Sequence, residues 1–537
     1  MIEINLNNIK KSFGFKNVLD KVSFDIKTGD RVSIIGDNGS GKTTLLNIIC
    51  GIEKQDSGTL AIRNGSVIGY LNQHPESVNG KRIVRDILYD SVKDILDMEN
   101  TMKKYEEKMV KDPNNISLIN KYLNIQEKFM NAGGYEVNTL IDKVTHGLDI
   151  NSFVDKRFDL LSGGEQKRVM LATLIIKKPN ILTLDEPTNH LDINTLEWLE
   201  SYLNNYEGTV VIVSHDRYFL DRVTTKTILL ENGKAVVFHG NYSYYLKEND
   251  LRIEREFKEY KDQQKMIIAM KKKIKQLQEF GRLAYPGGDP FFRRAENIRK
   301  RLERIEVKNK PLEKKELPIN LEFEGRSGKD VLTIDNYNLY VADKLLIKSI
   351  NLKIKYGEKI CIIGENGCGK TTFLKSILEN DSDNIKLGTN VKIGYIPQQI
   401  EFDLDIDVLS YVRKFYVGEE SHLRSALDKF YFHGENVFKK MIKLSGGEKV
   451  RLKLFELIHN KSNFIILDEP TNNIDIYTKE TLETALKEFK GTILFISHDR
   501  YFINKLADRI LYINNHRITQ YAGNYDYFVE HKNTNNC

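Results

Sequence analysis

Residues 161–192 read LSGGEQKRVMLATLIIKKPNILTLDEPTNHLD, and residues 444–475 read LSGGEKVRLKLFELIHNKSNFIILDEPTNNID. Each stretch places a serine-glycine turn before a helical segment and then an apolar strand that ends in an Asp-Glu pair. A near-identical pattern that occurs twice at this length is a property of the fold and not a chance motif. The two copies predict two equivalent α/β units that can face each other.

The repeat extends well beyond these stretches. Equivalent residues lie 325 positions apart at Gln73 but only 283 apart at Ser162, so the offset falls by 42 residues between them. The first half is therefore expected to carry an insertion, which we place at residues 95–132. Helical composition on both sides of an Asp-Pro-Asn-Asn turn predicts a short helical arm there. A surface decoration without a partner is the alternative interpretation.

Two glycine-rich loops match the pattern G-x-x-x-x-G-K-[ST], each between an apolar strand and a helical segment. In this context successive backbone N–H groups turn toward phosphate oxygens, and the helix adds its positive end. Lys42 and Lys370 are expected to reach the β- and γ-phosphates. The predicted phosphate-binding residues are Gly36, Asp37, Asn38, Gly39, Ser40, Gly41, Lys42, Thr43 and Thr44, and Gly364, Glu365, Asn366, Gly367, Cys368, Gly369, Lys370, Thr371 and Thr372.

Polar residues at the ends of further strands complete each predicted site. Asp185 and Asp468 are expected to hold a Mg²⁺ ion that also meets the loop threonines. Glu186 and Glu469 follow directly and are candidates for polarising the attacking water. The predicted metal ligands are Thr43, Gln73, Asp185, Thr371, Gln398 and Asp468, of which Gln73 and Gln398 follow Ile-Gly-Tyr strands.

The sequence His-Asp-Arg-Tyr-Phe follows a strand in both halves and begins at His215 and at His498. A lone histidine is more often structural, but this one recurs at the same place in each unit. Both histidines are therefore predicted to touch the γ-phosphate. Phe13 precedes the first loop and suits stacking on adenine. In the second half Val341 aligns with it; we choose the adjacent Tyr340, although a core aromatic is an open alternative.

At this point the residues resemble the ATP-binding cassette superfamily, because LSGGEQ and LSGGEK match its signature motif. The resemblance implies two cassettes packed head to tail, with ATP held between the phosphate loop of one and the signature of the other. It adds to the ATP-binding residues Ser162, Gly163, Gly164, Ser445, Gly446 and Gly447. The positive end of each signature helix suits a γ-phosphate. The implied device is a clamp that closes on ATP and opens after hydrolysis.

The stretches EPTNHLD and EPTNNID resemble more narrowly the ABC-F family, which has two cassettes, a helical linker and no membrane domain. Lys449 and the pair Asn473-Ile474 depart from the pattern of the first half and suggest unequal sites. The expected domains are residues 1–242, a linker at 243–316 with its tip at 281–292, and residues 317–537. A monomer with intramolecular cassette pairing is expected.

Residues 241–280 contain neither Gly nor Pro and predict a long helix, and 291–310 predict a second helix after a Gly- and Pro-rich turn. Residues 251–315 hold 20 Lys and Arg against 10 Asp and Glu, which leaves the rest of the chain at −4 within an overall +6. Such a basic segment suits a polyanion, although a solvated coiled-coil face is the alternative. The candidate RNA contacts are Arg282, Tyr285, Phe291, Phe292, Arg293 and Arg294.

The ABC-F resemblance implies binding at the ribosomal E site, with the linker reaching the P-site tRNA, rRNA and the peptidyl-transferase centre. Some members protect ribosomes from antibiotics, and others are housekeeping translation factors; the tip favours protection. No run of about 18 apolar residues, secretory signal or C-x-x-C pair is found, so a cytoplasmic protein is expected. A transporter ATPase with a separate membrane chain and a DNA-associated ATPase are the alternatives.

Overall fold

The computed structural model describes residues 1–37, 39–72, 81–189, 191–284, 286–308, 310, 327–342, 344–380, 382–402, 405–416, 418–471, 474 and 476–532. The chain forms two compact units. One unit comprises Met1–Asn241 together with Leu317–Cys537, and the other is Tyr242–Glu316. The first unit contains both cassettes, and the second is the linker.

In the part of the first cassette that the structure describes, nine strands build two sheets. They are β1 Ile2–Phe13, β2 Lys16–Lys27, β3 Arg31–Ile35, β4 Ser57–Ile62, β5 Ile68–Leu71, β6 Ile181–Asp185, β7 Thr209–Val213, β8 Lys226–Glu231 and β9 Lys234–Phe238. The main sheet has the order β5-β6-β7-β3-β8-β9, and only β9 runs antiparallel to its neighbour. Every residue of β6 and β7 is buried, as expected of parallel strands covered on both faces. The strands β2-β1-β4 form a separate antiparallel sheet.

The helices of this cassette are α1 Lys42–Ile49, α2 Val84–Asp90, α3 Lys93–Lys111, α4 Ile116–Asn131, α5 Val137–Gly147, α6 Gly163–Lys177, α7 Ile193–Asn204 and α8 Arg217–Val223. The predicted helical arm corresponds to α3 and α4. The Asn115 side chain accepts from the Leu118 N–H and caps α4. Each arm helix buries one residue, Met102 or Phe129, and is otherwise largely exposed.

The described residues of the linker unit form two helices, α9 Tyr242–Leu283 and α10 Asp289–Glu303. The turn is shorter than the sequence predicts, because Pro290 fits the first turn of α10, where a missing N–H costs nothing. α10 also ends earlier than the predicted residue 310. Beyond it the main chain bonds to the Gln263 side chain, which donates to the Glu306 carbonyl and accepts from the Lys308 N–H.

The second cassette repeats the first. Its strands are β10 Asp330–Val341, β11 Lys344–Lys355, β12 Lys359–Gly364, β13 Ile385–Leu387, β14 Ile393–Ile396, β15 Phe464–Asp468, β16 Thr492–Ile496, β17 Arg509–Asn514 and β18 Arg517–Tyr521. Its helices are α11 Lys370–Glu379, α12 Val408–Val412, α13 Glu420–Asp428, α14 Gly446–His459, α15 Ile476–Glu488, α16 Arg500–Leu506 and α17 Tyr525–His531. The sheet order β14-β15-β16-β12-β17-β18 matches that of the first cassette strand for strand.

The prediction of two tandem P-loop cassettes with a helical linker and arm is confirmed. Among the described residues, no helix has the length and apolar composition that crossing a membrane requires. In both sheets the strands that precede the phosphate loops are central, with the buried β6–β7 and β15–β16 pairs beside them. The carboxyl ends of these strands therefore bring the predicted site residues to one edge of each sheet.

Candidate active site

Each phosphate loop is closed by its own lysine. Lys42 Nζ donates to the carbonyls of Gly36 at 2.8 Å and Asp37 at 3.0 Å, and Lys370 Nζ makes the equivalent bonds at 2.8 and 2.9 Å. A Cβ on Gly36 would lie 2.5 Å from the Leu230 carbonyl oxygen, so only glycine fits there. In each loop, the lysine ammonium group and the N-terminus of the following helix thus lie around one small space.

A threonine and an aspartate meet behind the first loop. Thr43 Oγ1 donates to Asp185 Oδ2 at 3.0 Å. In the second cassette both carboxylate oxygens of Asp468 are buried, beside the side chain of Thr371. Burial raises the pKa of both aspartates, partly opposed by Thr43 and Thr371 and by nearby lysines. Buried carboxylate oxygens of this kind beside a threonine hydroxyl fit a Mg²⁺ ion.

Each predicted catalytic glutamate lies against its histidine. The main-chain N–H of His215 donates to Glu186 Oε2 at 3.3 Å, and the ring nitrogen Nε2 of His215 lies 3.5 Å from Glu186 Oε1. In the second cassette the same two distances, between His498 and Glu469, are 3.3 and 3.4 Å. Both glutamates have positive φ angles, 51° and 49°. A left-handed conformation at a non-glycine residue is strained and occurs at functional sites. Their carboxylates are therefore held at a fixed place by the fold.

Burial raises the pKa of Glu186 to about 7, and the neighbouring Asp185 adds to the effect. Burial likewise raises the pKa of Glu469 to about 7. Burial and nearby lysines lower the pKa of His215 and His498 to about 3, so both imidazoles are neutral near pH 7. Oε1 of each glutamate accepts no hydrogen bond from the described residues. The pair thus combines a poised carboxylate with an uncharged donor.

The signature serines begin their helices as predicted. Ser162 Oγ accepts from the Glu165 N–H, and the Glu165 carboxylate accepts from the Ser162 N–H at 2.8 Å, which completes a capping box on α6. Ser445 and Glu448 form the same box on α14. Each signature thus presents a fixed helix N-terminus, to which an anion is attracted.

A single cavity of about 1630 Å³ joins both phosphate loops with the first signature. Ser162, from the first cassette, lines it together with Lys370, from the second, as head-to-tail packing requires. The other predicted residues on its walls are Gly39, Gly41, Lys42, Thr43, Thr44, Gly163, Gly164, Asp185, Glu186, His215, Asn366, Gly367, Gly369, Thr371, Thr372, Gln398, Asp468, Glu469 and His498. Ser445, Gly446 and Gly447 are not on these walls, nor are Gly36, Asp37, Ser40, Gly364, Glu365 and Cys368.

The predicted adenine contacts differ between the halves. Phe13 lines the cavity, and Val341 lines it at the equivalent place, whereas Tyr340 does not. Phe13 pairs with Lys16 across β1 and β2, and Val341 pairs with Lys344 across β10 and β11. Adjacent residues of a strand face opposite sides of the sheet, so Tyr340 is on the other face. The ungapped alignment therefore identified the structural equivalent, and our choice of the neighbouring aromatic residue did not.

Three predicted site residues, Asn38, Gln73 and Tyr285, lie outside the described residues. In the linker, Arg282, Arg293 and Arg294 are exposed. Phe292 is 40% exposed but also packs over Gly281, and the rings of Phe291 and Phe280 lie 6.3 Å apart. The arginines of the tip are thus available for contacts, whereas its phenylalanines partly hold the two helices together.

Sequence reasoning missed the charged residues between the cassettes. Buried Arg217 of the first cassette pairs with buried Glu483 of the second. Arg500 of the second cassette pairs with Glu200 of the first, at the equivalent positions of the repeat. Lys479 donates to the carbonyl of His215 across the same interface at 3.1 Å. The two arginines belong to the repeated His-Asp-Arg-Tyr-Phe sequence and lie 283 positions apart, as do the two glutamates. That shared offset was the available signal.

The fold and these paired sites define a tandem ATP-binding cassette ATPase. The family model described as "ABC transporter" matches residues 19–189 and 347–472, and a second model with the same description matches residues 228–321. The chain hydrolyses ATP, as cassettes of this class do. ATP is accordingly its substrate.

Relatives that match nearly the whole chain identify the family within this class of ATPases. The Bacillus subtilis protein YdiF is 38% identical over 541 residues, covering 99% of this chain and 83% of the relative. ABC transporter F family member 5 of Arabidopsis thaliana is 35% identical, covering 98% and 77%. The energy-dependent translational throttle protein EttA of Escherichia coli (strain K12) is 33% identical, covering 96% and 93%. The chain belongs to the ABC-F family.

Solved structures with the same fold are more distant in sequence. The archaeal ribosome recycling factor aABCE1, solved with the ribosomal stalk protein aP1, superposes with a TM-score of 0.61 at 18% identity, covering 94% of this chain and 87% of that one. A structure titled RNase-L Inhibitor gives a TM-score of 0.59 at the same identity. At this identity the likeness concerns the tandem-cassette fold alone.

Proposed function

We propose that this protein is a cytoplasmic ATPase that binds the ribosome in its ATP-bound, closed state and leaves after hydrolysis. The observation that carries the proposal is the shared cavity, in which Ser162 of one cassette and Lys370 of the other face the same space. A terminal phosphate held there contacts both halves of the chain. Its loss on hydrolysis removes that contact, so binding and release follow the nucleotide.

Within each site the residues divide the work. Lys42 and Lys370 bind the β- and γ-phosphates, and the glycine-rich loops supply backbone N–H donors. Glu186 and Glu469 accept a proton from the attacking water, which their raised pKa values favour near neutral pH. His215 and His498, being neutral, donate to the γ-phosphate without repelling the magnesium ion.

Magnesium fits the residues that the structure assembles. Thr43 with Asp185 and Thr371 with Asp468 would hold it, and Gln398 also lines the cavity. The buried carboxylate of Asp468 beside Thr371 is the observation that favours an ion at the second site. When bound, Mg²⁺ neutralises the phosphate charge that develops during transfer.

Ribosome binding is supported by the family and by the linker. EttA, whose name describes a translational throttle, matches this chain over nearly its whole length. The linker carries twice as many basic as acidic residues between residues 251 and 315, and its α9 has 42 residues, about 60 Å at 1.5 Å per residue. We propose that it enters the E site and extends toward the P-site tRNA and the peptidyl-transferase centre. There the exposed arginines Arg282, Arg293 and Arg294 would contact RNA phosphates.

The finer role we propose is protection against antibiotics that bind near the peptidyl-transferase centre. The aromatic and basic tip of the linker motivates it. Expression in a drug-sensitive host should raise the inhibitory drug concentration, and deletion of residues 284–288 should abolish the effect. An unchanged susceptibility would leave the second candidate, a translation factor, which the similarity to EttA favours.

The ribosome proposal is tested with two double variants. Glu186→Gln/Glu469→Gln keeps ATP but cannot hydrolyse it, so it should pellet with ribosomes in ATP and remain there. Lys42→Ala/Lys370→Ala is the matched control, which cannot close on a γ-phosphate and should stay in the supernatant. If the glutamine variant fails to pellet with ribosomes, or is recovered with membranes or duplex DNA instead, the proposal is wrong.

A further inference from the structure

In the helix that follows the Asp-Glu pair, a buried lysine of the second cassette corresponds to a buried leucine of the first. Lys479 in α15 corresponds to Leu196 in α7, since the two lie 283 positions apart in the repeat. Lys479 is 6% exposed and Leu196 1% exposed, so both side chains are inside the protein. A buried lysine without polar partners would be costly, so its contacts indicate what it is for.

Lys479 Nζ has two partners, one in each cassette. It donates to Asp499 Oδ2 of its own cassette at 2.9 Å and to the His215 carbonyl of the first cassette at 3.1 Å. Burial alone would raise the pKa of Asp499, but Lys479 and Arg217 outweigh it and lower the pKa. The ammonium group is therefore held between a charged carboxylate and the main chain of a predicted catalytic histidine.

The equivalent contact, from residue 196 of the first cassette to the His498 carbonyl of the second, is chemically impossible. The leucine side chain at position 196 has no polar atom, and it therefore cannot donate to the carbonyl of His498. Asp216, the counterpart of Asp499, has the Arg500 guanidinium 3.9 Å away, and burial raises its pKa. The loop that carries His215 is thus fixed from the opposite cassette by an ammonium group, and the loop that carries His498 lacks this donor.

We propose that Lys479 is a positioning residue for the first ATP site only, formed by Lys42, Glu186 and His215, and makes the two sites unequal. It acts through the His215 main chain, which sets the distance from the imidazole to Glu186. Burial raises the pKa of the Glu186 carboxyl, and the charge of Lys479 acts to lower it. Because Lys479 is on the second cassette, the first site is complete only when the two cassettes are packed together. The proposal rests on the catalytic assignments made above for Glu186 and His215.

The test measures single-turnover ATP hydrolysis at one site at a time. Glu469→Gln leaves the first site active, and Glu186→Gln leaves the second. Adding Lys479→Met should lower the first-site rate constant about tenfold, the cost of one buried charged hydrogen bond, with the KM for ATP within twofold. The second-site rate should change less than twofold, and Lys479→Arg should restore the first-site rate. Equal loss at both sites, no loss at the first, or a change confined to KM would overturn the proposal.

Lys479→Met leaves the Asp499 carboxylate buried and could unfold the protein. The same comparison is therefore made in an Asp499→Asn background, because asparagine removes the charge and still caps α16. Lys479→Met added to Asp499→Asn should again slow the first site selectively, and a ratio of site rates equal to that of Asp499→Asn alone would contradict the proposal. If Glu186→Gln itself leaves the first site active, the catalytic assignment fails, which is a separate outcome.

Discussion

Arg217 of the first cassette donates to Glu483 of the second while both side chains are almost fully buried, 2% and 0% exposed. The guanidinium also lies over the Tyr501 ring at 4.2 Å. Arg500 and Glu200 form the same pair in the opposite direction, with Arg500 over Tyr218 at 4.3 Å. The cassettes are thus joined beside their histidine loops by two reciprocal ion pairs.

Breaking one of these pairs should loosen the cassettes. Arg217→Ala leaves the buried Glu483 carboxylate with the partly exposed Lys505 as its remaining cation, which costs about 3 kcal/mol and should lower the melting temperature measured by calorimetry. Lys505→Ala is the control, because Lys505 contacts the same carboxylate at 3.0 Å but is 33% exposed, and its loss should cost about 1 kcal/mol or less. Equal effects of the two substitutions would show that the buried pair does not hold the interface.

The two sites should bind the adenine of ATP with different affinities. Phe13 offers a ring where the second cassette has Val341, and stacking a base on an aromatic side chain is worth about 1–3 kcal/mol. Phe13→Val should weaken ATP binding at the first site by about tenfold, and Val341→Phe should strengthen it at the second. Isothermal titration of each variant measures this, with Tyr340→Val as the control that should leave affinity unchanged. A stronger effect of Tyr340→Val than of Phe13→Val would contradict the placement.

Magnesium binding should depend on the buried carboxylate of Asp468. Asp468→Asn removes the charge without changing the shape, so hydrolysis by the second site should need about tenfold or more additional Mg²⁺ to reach half its maximum. The measurement is hydrolysis against Mg²⁺ concentration in the Glu186→Gln background. An unchanged half-saturating concentration would place the ion elsewhere.

The linker turn requires glycine at position 288 and not at position 287. A Cβ on Gly288 would lie 2.0 Å from the Gly281 carbonyl oxygen, whereas a Cβ on Gly287 would have its nearest neighbour at 3.3 Å. Gly288→Ala should therefore separate the ends of α9 and α10 and speed hydrogen exchange at the Phe291 amide, which donates to the Gly288 carbonyl. Gly287→Ala should leave that exchange within about threefold. Similar rates in both variants would mean that the close approach does not shape the turn.

Much of the site could be predicted because its chemistry is written in short, contiguous motifs. Lys42, Asp185, Glu186 and His215 each follow a strand of the same sheet, and the carboxyl ends of such strands meet at one edge. The internal repeat then predicted the corresponding residues of the second cassette. A short motif determines where its residues lie within one loop, and each of these residues belongs to such a loop.

The rest depends on which residues face each other in three dimensions. Tyr340 does not line the cavity and Val341 does, because strand alternation, not residue type, decides which side chain faces it. Lys479 breaks the repeat, so its counterpart Leu196 gave no hint of a contact with the other cassette. Pro290 resembled a helix breaker, yet it occupies the one turn of α10 that tolerates it.

The central claim is that each cassette needs the other, and hydrolysis by a signature variant tests it most directly. Ser162→Trp/Ser445→Trp adds bulk where a terminal phosphate must meet the opposite cassette, and calorimetry with ATP confirms that the phosphate loops still bind. Steady-state hydrolysis should fall by about 100-fold or more, as when a donor to the transition state is lost. Hydrolysis at the unmodified rate would show that each cassette works alone, and the shared-site account would be contradicted.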